Sequence, residues 1–145
     1  MMTFKKLVNL IDDANKLDIP DEIKYAGAYP RKEQKMDGGH DLVFRHKETE
    51  ERHRENGPAV IEDNKESWYF NGKLHRDDGP AIVDADGNTA YFKDGKLHNE
   101  DGPAINTENV SAYYIAGELH NDNGPALITT KGHVYYVNGK KVDSE

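Results

Sequence analysis

From Gly57 onward the chain alternates short apolar runs with polar turn residues at a steady interval. Pro58 to Glu62, Pro80 to Asp84, Pro103 to Asn106 and Pro125 to Thr129 each form a brief apolar stretch, too short for a helix and suited to a strand. After each comes a polar turn, then an aromatic group: Trp68-Tyr69-Phe70, Tyr91-Phe92, Tyr113-Tyr114 and Tyr135-Tyr136. Such residues suit a half-buried pleated surface. Directly after the aromatics stand Asn71-Gly72, Asp94-Gly95, Ala116-Gly117 and Asn138-Gly139. Asn-Gly and Asp-Gly are strong hairpin signals, because both central residues of a type I′ turn need positive φ; Ala-Gly is a weaker form of the same turn. The pattern predicts a mainly β chain built of antiparallel hairpins.

The interval is set by His-x-x-x-Gly-Pro-Ala, which occurs at His53, His75, His98 and His120, spaced 22, 23 and 22 residues apart. A period near 22 predicts one small supersecondary unit, copied and stacked into an antiparallel β-hairpin repeat array over residues 53–145. Upstream, Phe4, Leu7, Val8, Leu10, Ile11, Ala14 and Leu17 recur at helical spacing, with Thr3 placed to cap the start and Pro20 to end it. Residues 1–20 are thus expected to form a helical cap over one open end of the stack. Residues 21–52 are expected to be an irregular segment leading into a degenerate first half-repeat, with a strand over Asp41 to Phe44. The polar residues Arg45 to Arg52 lengthen that half-repeat and should bulge into solvent; such a loop is a candidate for specific contacts.

Tyr91-Phe92-Lys93-Asp94-Gly95-Lys96-Leu97-His98, followed by Gly102, resembles the MORN repeat family, and Trp68 to His75, Tyr113 to His120 and Tyr135 to Lys141 match in the same places. The likeness covers residues 67–145 well and 41–66 weakly. In place of the family's usual Gly-x-Gly after the hairpin, this chain has Asn/Asp-Gly-Pro-Ala. Arrays of that variant kind are similar to repeats of bacterial and bacteriophage proteins. The resemblance implies the hairpin-array fold. The family's membrane-junction role is not carried over, because the turn is altered and the chain is acidic.

The net charge is −8, and residues 53–145 hold −7 of it, with nine Lys/Arg against sixteen Asp/Glu. An acidic array repels nucleic-acid phosphates and anionic lipid surfaces, so neither nucleic acid nor membrane is the expected partner. No apolar run reaches the roughly 20 residues of a membrane-spanning helix, and Asp12 and Asp13 interrupt the short apolar stretch near the start. The chain has no cysteine, which excludes disulfides and thiolate metal sites and fits a cytoplasmic protein.

Chemistry could reside in three sets of residues. His53 opens the repeated motif, and the equivalent His75, His98 and His120 should form a ladder, with carboxylates at or near Asp78, Asp101 and Asp122. A metal needs ligands converging on one point, not one ligand per repeat along a line, so the favoured role is structural: each ring packs beside an aromatic and bonds the Asp/Asn-Gly-Pro turn. Gly57, Gly79, Gly102 and Gly124 supply an unusual backbone angle or a close approach. Of each aromatic pair one member should face inward and one outward. The outward set, Tyr69, Phe92, Tyr114 and Tyr136 or their neighbours Tyr91 and Tyr113, would form an aromatic stripe, the best binding surface in the chain. No nucleophile or acid–base constellation stands out, so no catalytic residue, metal or cofactor is expected. The expected function is a non-enzymatic protein-binding module whose partner has a basic surface. The phage-like resemblance extends this to an inhibitor of a host defence protein. The alternative is a small-ligand or metal-binding protein using the repeated His and Asp positions.

Overall fold

A computed structural model describes residues 28–34 and 40–143. The helix expected at residues 3–17 lies outside the described residues. Those described are mainly β, with antiparallel pairing throughout, and fall into two compact units, one ending at Lys73 and one beginning at Leu74.

In the first unit, β1 (Ala28–Gln34) pairs with β2 (His40–His46), β2 with β3 (Val60–Ile61), and β3 with β4 (Lys65–Ser67). β1 replaces the irregular chain expected there. Its sequence is polar and contains Pro30, so intrinsic preference does not announce a strand. Pairing decides it: all seven residues lie in register with β2, from Ala28 opposite His46 to Gln34 opposite His40. β2 is the expected strand, and it carries the centre of the core. Leu42, Val43, Phe44, Ala59, Val60 and Ile61 are all buried, with Phe44 and Val43 the largest fully buried side chains.

The polar insertion after β2 closes on itself. Arg45 and Arg52 form a bridge, the His46 amide donates to Glu51 O (2.8 Å), and His46 Nδ1 accepts from the Glu48 and Thr49 amides (3.2 and 3.4 Å). Lys47 to Arg52 are exposed, as a wholly polar segment requires. The unit continues through β5 (Tyr69–Phe70) and the Asn71-Gly72 turn. β6 (Lys73–Leu74) carries the chain into the second unit.

In the second unit, β7 (Ile82–Asp84), β8 (Thr89–Ala90), β11 (Ile105–Asn106), β12 (Val110–Ala112), β15 (Leu127–Thr129), β16 (Gly132–Val137) and β17 (Lys140–Val142) lie side by side in that order. Separate hairpins are formed by β9 (Phe92–Lys93) with β10 (Lys96–Leu97) and by β13 (Tyr114–Ile115) with β14 (Glu118–Leu119). The chain changes sheets at the first aromatic. Tyr91 donates its amide to Ala104 O (2.7 Å), and its carbonyl accepts from the His98 amide (3.0 Å); Tyr113 does the same with Ala126 and His120 (2.7 and 3.0 Å). Only small side chains are fully covered here: Ala81, Ala104 and Ala126 have no exposed surface, and Ala112 is 2% exposed.

All four expected hairpin turns have positive φ at both central residues: 48° and 80° at Asn71-Gly72, 50° and 83° at Asp94-Gly95, 50° and 85° at Ala116-Gly117, 51° and 78° at Asn138-Gly139. The alanine at position 116 therefore adopts a left-handed conformation that costs an L-residue about 1–2 kcal/mol. On the opposite side, Asp84 Oδ1 accepts from the Asp86 and Asn88 amides (both 3.0 Å), with Oδ2 receiving Asn88 Nδ2 (2.9 Å). The side-chain bond from Asn88 and the backbone amides hold the Asp84 carboxyl below its ordinary range. Thr107 plays the same part with one oxygen, accepting from the Asn109 and Val110 amides (3.3 and 3.1 Å).

Candidate protein-binding groove

The histidines are tied to the scaffold by one repeated bond. Nδ1 of His53, His75, His98 and His120 accepts the amide of Asn71, Asp94, Ala116 and Asn138 respectively, each at 3.0 Å. An accepting Nδ1 leaves the proton of a neutral ring on Nε2. That nitrogen faces a carboxylate two residues ahead in three cases: Asp77 (3.0 Å), Glu100 (3.5 Å) and Asp122 (3.1 Å). Through Nδ1 the rings thus bond the next hairpin turn and not the expected Asp/Asn-Gly-Pro turn, whose carboxylates are met by Nε2 in three cases. Two of the expected carboxylates shift by one position, from Asp78 to Asp77 and from Asp101 to Glu100. Asp78 instead bonds Arg76 Nε at 3.0 Å. His53 differs in being 4% exposed, edge-on to His46 (5.2 Å between centroids) and 4.5 Å from the Phe70 ring. Burial, then the neighbouring His46, lowers its pKa. Among the described residues no group of three or more His, Asp or Glu side chains is placed to hold a metal ion.

The residue after each histidine spans the following turn. Arg54 and Arg76 reach the carbonyls of Pro58 and Pro80 through Nη1 (3.2 and 3.1 Å). Asn99 and Asn121 reach those of Pro103 and Pro125 through Nδ2 (3.1 and 3.0 Å). These side chains explain two of the glycines. Gly57, Gly79, Gly102 and Gly124 are absent from the positive-φ positions, so none serves an unusual angle, and a close approach accounts for Gly57 and Gly79 only. A Cβ at Gly57 would lie 2.8 Å from Arg54 Cζ, and at Gly79 3.0 Å from Arg76 Cζ. At Gly102 and Gly124 it would meet an asparagine Nδ2 at 3.7 Å, an ordinary contact.

Between two of these loops in the second unit lies a groove of about 630 Å³. Arg76 to Gly79 line it on one loop and His98 to Pro103 on the other, with Thr89, Tyr91, Phe92, Lys93 and Asn106 completing it. Four carboxylates, Asp77, Asp78, Glu100 and Asp101, share the lining with two cations, Arg76 and Lys93. The Asp77, Asp78 and Glu100 side chains are 77–87% exposed, and Arg76 is partly neutralised by Asp78. Two aromatic rings inside an acidic rim suit a cationic, partly apolar group.

Of the aromatic positions picked out in the sequence, Tyr91 and Phe92 line this groove; Tyr114 and Tyr136 lie outside it, as does Tyr113. Tyr69 belongs to the first unit, where the Arg52 guanidinium sits 5.2 Å from its ring centre. Tyr69, Tyr91, Phe92, Tyr113, Tyr114, Tyr135 and Tyr136 are all half-buried, so the expected division into inward and outward rings is not sharp. The reason is the bend at Tyr91 and Tyr113, which stops one strand's alternation from carrying through the pair. Asn99, Glu100 and Asp77 were missed in the sequence, whereas Asp101 was among the carboxylates expected near the histidines. Their signal is that they fill the variable positions inside the constant His-x-x-x-Gly frame.

Comparison with protein-family models, curated protein sequences and solved structures returns no match. Among the described residues no helix is long and apolar enough to cross a membrane.

Proposed function

We propose that this chain is a non-enzymatic protein-binding module, a MORN-like array of hairpin repeats of about 22 residues. Its partner would present a basic surface to the acidic, aromatic groove beside Tyr91. The observation that carries this is the division of labour around the groove: the histidines serve the turns through Nδ1, while Glu100, Asp101, Tyr91 and Phe92 line the open space. The recurring His-to-turn bonds support the repeat architecture. The same bonds weigh against the metal-binding alternative, since each Nδ1 lone pair is already used. Resemblance to arrays of bacterial and bacteriophage proteins extends the proposal to inhibition of a host protein, with a cytoplasmic defence factor as the expected class.

The test is affinity capture from bacterial lysate with the tagged full chain, beside the Tyr91→Ala/Tyr113→Ala double variant. One dominant partner, lost in a variant whose circular dichroism is unchanged, supports the proposal. Equal capture by both proteins, or no reproducible partner, refutes it.

A further inference from the structure

The first unit holds a guanidinium in a setting that recurs in the second unit, with arginine again at position 76 but with a neutral, shorter asparagine at 99 and 121. Arg54 Cζ lies 4.0 Å from the centre of the Phe44 ring, Nη1 donates to Pro58 O at 3.2 Å, and the group packs against Gly57. The backbone frame around it is specific: the Phe44 amide donates to Ala59 O (2.6 Å), and Phe44 O accepts from the His53 amide (3.0 Å).

Tyr91 stands in that same frame, its amide on Ala104 O (2.7 Å) and its carbonyl on the His98 amide (3.0 Å). The residue after His98 is Asn99, however. It makes the bond to Pro103 O (3.1 Å) without placing a cation, and it stays 3.7 Å from where a Cβ on Gly102 would be. Tyr91, Asn99, Gly102 and Pro103 all line the groove, with Glu100 and Asp101 beside them. The groove is therefore lined by the counterparts of the residues that surround Arg54, with an asparagine where the arginine stands.

Resting on the protein-binding reading above, we propose that the groove receives an arginine side chain of the partner, its guanidinium stacked on Tyr91 and paired with Glu100 or Asp101. Arginine fits better than lysine for a physical reason. A planar, weakly hydrated guanidinium stacks on a ring and offers a fork of donors to a carboxylate, whereas an ammonium is a compact, strongly hydrated point charge. Of the carboxylates in the lining, Asp78 is engaged by Arg76 (3.0 Å), while Glu100 meets only the His98 ring at 3.5 Å and points its charge outward.

The test uses the full chain and two short blocked peptides, Gly-Arg-Gly and Gly-Lys-Gly, titrated to millimolar concentration and followed by NMR. The arginine peptide should shift the Tyr91 ring and Gly102 amide signals and bind about tenfold more tightly than the lysine peptide. Asn99→Arg should fill the space with the chain's own guanidinium, as Arg54 does, and weaken the arginine peptide about tenfold. Tyr91→Leu removes the stacking face without adding a charge, and should weaken it similarly should Asn99→Arg not fold. Equal binding of the two peptides, unchanged binding in both variants, or no shift at Tyr91 overturns the proposal. A lysate partner lost in the tyrosine double variant yet indifferent to Asn99→Arg and to the arginine peptide also overturns it, leaving the protein-binding reading standing. The peptide titration reads the groove directly, so it decides this proposal even where no lysate partner is captured.

Discussion

Replacing each Gly-Pro-Ala glycine by alanine should divide the four sites according to whether arginine or asparagine stands next to the histidine. At Gly57 the new Cβ would sit 2.8 Å from Arg54 Cζ. Arg54 cannot yield cheaply, because it is stacked 4.0 Å over Phe44 and bonded to Pro58 O. Displacing it forfeits a charge-assisted hydrogen bond and a cation–π contact, part of which water restores, for a net loss of about 2 kcal/mol. At Gly79 the contact with Arg76 Cζ is longer, 3.0 Å, so a smaller displacement and about 1 kcal/mol are expected. At Gly102 and Gly124 the contact is 3.7 Å and the backbone φ is not positive, so alanine fits. There the substitution restricts the unfolded chain and should stabilise by roughly 0.5 kcal/mol. Urea titrations of the four single variants, followed by far-ultraviolet circular dichroism, measure the series. Equal losses at Gly57 and Gly102 would refute the reasoning, since a common φ requirement and not the arginine would then be responsible.

Ala116→Asn should stabilise by about 1 kcal/mol by relieving a left-handed alanine, and Ala116→Val should destabilise; thermal melts check both. His98→Ala removes one acceptor from an exposed turn amide that water can reach, and should cost about 1 kcal/mol. His53→Ala also vacates a buried space against Phe70 and should cost roughly 2–4 kcal/mol by the same assay. His53 has a folded-state pKa below its ordinary 6.5, so the unfolded chain binds its proton first. Its contribution is complete above about 6.5 and is lost as pH falls from there toward the folded value. Urea midpoints of wild type and His53→Gln between pH 7.5 and pH 5 should converge if this holds, and a constant gap would sink it.

Much of this was legible in the chain because it depends on local chemistry. Glycine after an asparagine, aspartate or alanine, behind an aromatic pair, located the four turns at Gly72, Gly95, Gly117 and Gly139, including the one where alanine takes positive φ. The strand through Leu42 to Phe44 was equally clear from three adjacent apolar residues. Its partner Ala28–Gln34 was not, since a polar stretch with a proline becomes a strand only through the neighbour it pairs with. The histidines were recognised as structural, but their acceptor bond joins residues 18 or 19 apart, and no spacing rule reveals which of two nearby turns is the partner. The groove was least visible. It exists because two loops that each look like ordinary turns stand opposite one another in the fold, and its lining residues vary from one to the next.

The four accepting histidines have a practical consequence. Hydrogen bonding to Nδ1 pins each imidazole in a single tautomer, and the nitrogen shifts of that tautomer disappear when the bonded turn opens. The protein thus carries its own spectroscopic gauges, one at each of four successive turns along the chain. Following them through a denaturant series would show whether opening begins at Asn138, spreads from Asn71, or strikes all four at once, with no label added.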